Sequence, residues 1–202
     1  MIQYFKRKWQ TYLKEKSVWS KIGDGIFVAF VIAMLIPASR REVSAFMIRI
    51  ISFSPSELDA GKQSKIPESA YQWELISMDG NSVQLVDFQG KPLLINFWAT
   101  WCPPCVAEFP EIQDLYDKYH DKVAFILISD ESPETIQAFF KSKNYHLPVY
   151  YSNSAIPDAF QTNSLPTTYI VDPQGRIVIN KTGAAKWNSS SMHELLDKML
   201  QP

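Results

Sequence analysis

Cysteine is scarce in this chain: two among 202 residues, Cys102 and Cys105, both in one Cys-x-x-Cys. A small secreted domain stapled by structural disulfides carries four or more cysteines at wider spacings, so that class is excluded. Histidine is nearly as scarce. His120, His146 and His193 stand apart from one another and from the cysteines, so the four ligands of a structural zinc site are not assembled by spacing. Low-complexity tracts are missing. With 46% hydrophobic and 20% charged residues, the composition is that of a folded chain able to bury a core. Excess charge is missing too, since 20 Lys/Arg face 21 Asp/Glu, which speaks against a nucleic-acid partner. That balance hides an asymmetry: residues 1–61 hold nine Lys/Arg against five Asp/Glu, and residues 62–202 hold eleven against sixteen. The two parts face different surroundings.

The first 24 residues are basic, with Lys6, Arg7, Lys8, Lys14, Lys16 and Lys21 against Glu15 and Asp24. The apolar run Gly25–Ala38 follows. By itself it is shorter than a bilayer span, but extended back to Val18 it reaches about 30 Å as a helix. Its eight Ile, Val, Leu and Phe residues favour insertion by about −4 kcal/mol in sum. That outweighs Lys21 and Asp24 near one end, where a lysine can snorkel. The run reads as an uncleaved membrane anchor over 18–38. A cleaved signal peptide lacks a clear Ala-x-Ala site here, and a buried core helix is the third reading. Six basic residues precede the run while Arg40 and Arg41 follow it; the majority places residues 1–17 in the cytoplasm.

Residues 43–53 are weakly amphipathic, and two readings stay open: a helix at the membrane surface, or a helix packed on the domain. Ser54–Ser69, polar and holding Pro55, Gly61 and Pro67, reads as a linker. This gives a juxtamembrane segment and linker over 39–69 and a domain over 70–202. In the domain, Tyr71–Ile76 and Ser82–Leu85 flank an Asp79-Gly80 hairpin turn. Leu93–Ala99 and Val123–Ser129 are apolar runs typical of buried central strands. Val106, Phe109, Ile112, Leu115, Tyr116 and Tyr119 recur at helical spacing. Pro133–Lys143 is a helix with proline in its first turn, and Leu147–Tyr151 is a short strand. Thr167–Val171 and Arg176–Asn180 flank another turn, and Ser190–Leu200 closes the chain as a helix. The order predicts a mixed α/β sheet covered by helices.

The chemistry concentrates in Asn96-Phe-Trp-Ala-Thr-Trp-Cys102-Pro-Pro-Cys105-Val-Ala-Glu108-Phe-Pro110. A Cys-x-x-Cys between a buried strand and a helix puts its first sulfur at the helix N-terminus. Free amides and the helix dipole there favour a thiolate. Attack by Cys102 and resolution by Cys105 make a reversible two-electron couple. Pro103 and Pro104 have no N–H, so two amides that could solvate the Cys102 thiolate are absent. This predicts a Cys102 pKa nearer about 7 than about 3.5 and a more reducing couple.

The Trp-Cys-x-Pro-Cys core resembles thioredoxins. Pro110 matches the helix-kinking proline of that fold, Leu165-Pro166-Thr167 its cis-proline loop, and Gly183 a glycine after its last strand. The wider pattern resembles the TlpA/ResA family of anchored thiol–disulfide oxidoreductases: an anchor, an added hairpin, Asn-Phe-Trp-Ala-Thr-Trp-Cys, and Glu108 three residues after Cys105. The resemblance covers roughly residues 70–200. It implies an α/β thioredoxin-like fold with an added N-terminal β-hairpin, preceded by a single transmembrane helix. It also implies a redox disulfide at Cys102 and Cys105. Trp101, Pro103, Leu165 and Pro166 are read as the substrate surface, with Trp101 and Phe97 also read as packing residues and Trp101 partly exposed beside Cys102, and no cofactor or metal is expected. Thioredoxin carries a buried Asp where this chain has Asn96. The resemblance gives proton handling to Glu108, against the alternative of an ordinary helix acid favoured by the dipole.

The implied activity is reduction of extracytoplasmic protein disulfides, with apocytochromes before haem attachment as one possible client class. The implied setting is the cell membrane, crossed once, with the catalytic domain outside (periplasmic in a Gram-negative cell) and a membrane electron donor. The same cysteines leave open a copper chaperone or a thiol peroxidase, although the peroxidase loop Pro-x-x-x-Thr-x-x-Cys is not found.

Overall fold

The computed structural model describes residues 17–201; residues 1–16 of the expected cytoplasmic segment lie outside them. The chain divides after Val43 into two units. The first holds α1 (Val18–Leu35), in which no residue is buried. At Ile36 the backbone turns extended, with φ −86° and ψ 119°. Pro37 explains the break, because a proline disfavours helical geometry in the residue before it. A second helix, α2 (Pro37–Ile51), starts at that proline and runs into the second unit.

From Ser44 onward the chain builds a seven-stranded sheet in the order β2-β1-β5-β4-β3-β6-β7. The strands are β1 (Glu74–Ser77), β2 (Ser82–Gln84), β3 (Leu93–Phe97), β4 (Ala124–Ile128), β5 (Val149–Ser152), β6 (Thr167–Val171) and β7 (Ile177–Thr182). β3, β4 and β5 are parallel, while the β1–β2 and β6–β7 hairpins join antiparallel at the two sides. The helices are α3 (Pro103–Tyr119), α4 (Pro133–Lys143) and α5 (Ser190–Met199). The fold is thioredoxin-like, with the added hairpin that the sequence predicts.

Alternation along β3 decides what each face receives. Leu94 and Trp98 join the cluster built with Phe109 and Ile112 of α3, Ile136 and Phe140 of α4, and Leu195 and Leu196 of α5. Leu93, Ile95 and Phe97 join the opposite cluster with Trp73, Leu85, Phe160 and Tyr169. Helices were expected over the sheet generally. Their buried residues fall on one face, and the other is closed by 3-10 turns at Glu68–Gln72, Leu85–Phe88 and Asp158–Phe160.

That second face corrects the reading of residues 54–69 as a linker. Ile66 lies in the core, and its amide donates to the Gly175 carbonyl at 2.8 Å. The Leu58 amide donates to Val178 O at 2.8 Å, and the Ile177 amide to Ser64 O at 2.9 Å. The segment is polar because its outer side meets water, yet three of its backbone groups pair with β7 and the turn before it, and it belongs to the same compact unit as the sheet. The segment 43–53 is resolved the same way in part: Ala45 and Ile48 of α2 pack on Val106 and Ala107 of α3.

Candidate active site

β3 ends at Phe97 and the chain reaches α3 through a five-residue turn, Trp98–Cys102. The turn is pinned at both ends. The Trp98 amide donates to Ile128 O at 3.0 Å. Glu131 accepts from the Thr100 amide at 2.5 Å and from the Thr100 hydroxyl at 2.6 Å. A carboxylate gripping two groups of one residue fixes the loop that presents the first cysteine.

Cys102 caps α3, and its Sγ accepts from the Cys105 amide at 3.3 Å. That amide is the first the helix can offer, because Pro103 and Pro104 have none. The two cysteines are joined in a disulfide with Cα atoms 5.3 Å apart. Both sulfurs belong to buried residues, but Cys102 opens onto a shallow groove of about 460 Å³. Trp101, Pro103, Pro104 and Leu165 line it, with the loop Thr162–Ser164 opposite. Cys105 is not in its wall. Trp101 is 60% exposed, so a large indole stands at the groove's rim.

The Leu165–Pro166 bond is cis. Leu165 reaches the groove while Pro166 is buried behind it and does not line it. The Pro166 carbonyl accepts from the Gly183 amide at 2.9 Å. Gly183 has φ +83°, a conformation that a side chain disfavours, which gives that glycine its role beside the loop.

Glu108 is 2% exposed and faces the sheet. Asn96 Nδ2 donates to its Oε1 at 2.9 Å, Trp187 Nε1 to its Oε2 at 2.8 Å, and the Ala185 amide to Oε2 at 3.3 Å. Burial raises its pKa from 4.5 to about 7; the bonds from Trp187, Asn96 and Ala185 oppose the rise, and the nearby Glu111 charge adds to it. An acid half-protonated near neutrality, one turn after Cys105, can hold or release a proton where a buried sulfur must change charge. Asn96 also donates to Thr168 Oγ1 at 2.8 Å, while its own Oδ1 is buried and finds no hydrogen-bond partner among the described residues.

Of the residues singled out in the sequence, Trp101, Cys102, Pro103 and Leu165 meet at one groove. Glu108 and Pro166 are buried and do not line it. Trp187 and Glu131 were missed. Trp187 is 79 residues from Glu108 and Glu131 is 31 from Thr100; no local pattern marks either pairing.

A model of the AhpC/TSA family matches residues 66–179. The thiol-disulfide oxidoreductase ResA of Oceanobacillus iheyensis is 35% identical over 142 residues, covering 67% of this chain and 72% of that protein. The ResA of Bacillus subtilis is 32% identical over 142 residues, covering 68% and 78%. Among solved structures, a thiol:disulfide interchange protein of Chlorobium tepidum matches with a TM-score of 0.55 at 21% identity, over 71% of this chain and all of that one. An exposed lipoprotein thioredoxin of Streptococcus pneumoniae matches with a TM-score of 0.52 at 24% identity, over 62% and 98%; at these identities the likeness establishes the fold. The disulfide at the head of α3 and the identity with ResA proteins over most of their length agree, and the chain belongs to the AhpC/TSA family as a ResA-like thiol–disulfide oxidoreductase.

Proposed function

We propose that this enzyme reduces disulfides of proteins outside the cytoplasm, using Cys102 as the attacking thiolate, Cys105 as the resolving thiol and Glu108 as the proton donor and acceptor. The observation that carries the direction is the double proline. With the Cys105 amide as the first donor to Cys102 Sγ, the reduced thiolate is less stabilised than at a helix offering all its amides, so the couple lies toward reduction. The groove is shallow and open-sided, which suits a polypeptide better than an enclosed small molecule. Trp101, Pro103 and Leu165 contact the substrate there, and Pro166 shapes the loop that holds it.

In this reading, attack by the Cys102 thiolate on a client disulfide forms a mixed disulfide and releases a client thiolate. Cys105 then displaces the second client sulfur, its thiol proton passing to Glu108. The enzyme leaves as the disulfide seen here, and two electrons return it to the dithiol from a membrane donor. Its clients include apocytochromes before haem attachment. The chain is held by residues 18–38 in the cell membrane, with 1–17 cytoplasmic and the domain outside. The support is α1, an 18-residue helix of mean hydropathy 1.7 with no buried residue.

Replacing Cys105 with Ala tests the chemistry: the variant accumulates mixed disulfides through Cys102 with exported proteins, identifiable by mass spectrometry. Equilibration with glutathione tests the direction. The midpoint is expected nearer the thioredoxin value of about −270 mV than the DsbA value of about −120 mV; a midpoint at the oxidising end refutes the reductase reading.

A further inference from the structure

The part of α2 that lies in the catalytic unit has two apolar faces. One is used: Ala45 and Ile48 pack on Val106 and Ala107 of α3, with Phe139 of α4 alongside. Arg49 Nε donates to the Ala107 carbonyl at 3.2 Å, three residues before Pro110, which interrupts the ladder of α3. The other face is bare. Phe46 is 60% exposed, Met47 49%, Ile50 59% and Ile51 64%, and Phe53 just past the helix is 82% exposed. At about 100° per residue, Ala45, Ile48 and Ser52 share one side while Phe46, Met47, Ile50 and Ile51 share the opposite one.

Unmatched apolar surface of this kind marks an interaction site. Three features of the chain select its occupant. The face begins eleven residues after Leu35, where α1, wholly unburied and of mean hydropathy 1.7, ends. Arg40 and Arg41, both exposed, precede the face and match the phosphates of lipid headgroups. With Arg40, Arg41, Glu42 and Arg49 in its 15 residues, α2 is too polar to cross a bilayer and suited to lie along one.

We propose that the outward face of α2, from Phe46 to Phe53, lies in the headgroup layer of the bilayer that α1 enters, and that its inward face thereby holds the redox helix α3 against the membrane surface. This rests on the reading of α1 as an anchor. α2 then acts as a strap: its apolar side is solvated by lipid, and its other side grips α3 at Val106 and Ala107, directly after Cys105. A membrane-embedded electron donor meets the disulfide at a fixed height.

The test uses the full chain in phosphatidylcholine–phosphatidylglycerol vesicles doped with a phospholipid carrying a diazirine near the glycerol end of its acyl chain. After illumination, labelled positions are mapped by mass spectrometry. Label is expected within Val18–Leu35 and on Phe46, Ile50 and Phe53, with Ile48 unlabelled. Label within Val18–Leu35 alone overturns the strap and leaves the anchor standing; label in neither segment overturns the anchor reading itself. A Phe46→p-benzoylphenylalanine variant is expected to form lipid adducts. Adducts to a second copy of the chain instead make the face a dimer interface and overturn the proposal. A Phe46→Ser/Ile50→Ser variant is expected to lose label in 46–53, keep it in Val18–Leu35, and retain its rate toward a small soluble disulfide.

Discussion

Replacing Glu108 with Gln separates the titration of this side chain from its packing. The carboxyl is closed in by Asn96, Trp187 and the Ala185 amide. A glutamine can keep its oxygen on the Trp187 and Ala185 donors and turn its NH₂ toward Asn96. The Asn96 amide then rotates by half a turn, and its oxygen, which has no partner among the described residues, accepts that NH₂ and the Thr168 hydroxyl, while its own NH₂ leaves the two acceptors it now holds. The fold is therefore retained. A rise of the pKa from 4.5 to about 7 corresponds to roughly 3 kcal/mol of differential interaction, at about 1.4 kcal/mol per tenfold change in proton affinity. The group is raised rather than depressed, so between pH 4.5 and about 7 the folded state holds a proton that the unfolded chain has released. Stability then falls as pH rises across that window and levels off above it. The oxidised wild type should lose most of that roughly 3 kcal/mol between pH 4.5 and about 7, a decline missing from Glu108→Gln. Denaturant melts of both proteins in detergent at stepped pH read this directly. Exchange kinetics supply the second readout: the rate for Glu108→Gln should fall on the order of 10²-fold, the usual scale for a lost general acid. Parallel stability curves for the two proteins across that window would refute a Glu108 that titrates near neutrality.

Trp187→Phe removes one donor from the Glu108 carboxylate while keeping a ring in place. The pKa should climb by about one to two further units, given roughly 1.5–3 kcal/mol for a hydrogen bond to a charge, seen as an alkaline shift of the pH–rate profile. Ile66→Ala should destabilise by about 2–5 kcal/mol in equilibrium unfolding, since Ile66 is in the core; an effect near zero would return residues 54–69 to the status of a linker. Gly175→Ala should also destabilise, by about 1–2 kcal/mol. Its φ is +79° and an added Cβ would meet the Tyr71 hydroxyl oxygen at 2.6 Å, so a thermal shift near zero would count against the turn as drawn. In the reduced enzyme, iodoacetamide should modify Cys102 before Cys105, because Cys102 lines the groove and Cys105 does not; peptide mapping decides.

What could be read from the sequence was local. The Cys-x-x-Cys, its strand before and helix after, and the turns at Asp79-Gly80 and Asp172–Gly175 each depend on residues a few positions apart, and each stands where the spacing places it. Boundaries moved where tertiary contacts outweighed propensity. Tyr71–Ile76 reads as one strand, yet Glu68–Gln72 is a 3-10 turn and the strand begins at Glu74. Burying Ala70 and Tyr71 against the second face of the sheet decides that.

The sequence by itself determined the Cys-x-x-Cys at a strand–helix junction and the mixed α/β order of elements, because covalent spacing and side-chain periodicity carry them; the family was legible only through the resemblance of its motifs. Tertiary structure alone decided the environment of the pair. Glu108 gains its raised pKa from burial beneath strands and loops that meet there after folding, and its three partners come from β3 and from the loop after β7. Proton affinity in a protein depends on solvation and on neighbours in space, and those neighbours are fixed only once α3 has packed on the sheet.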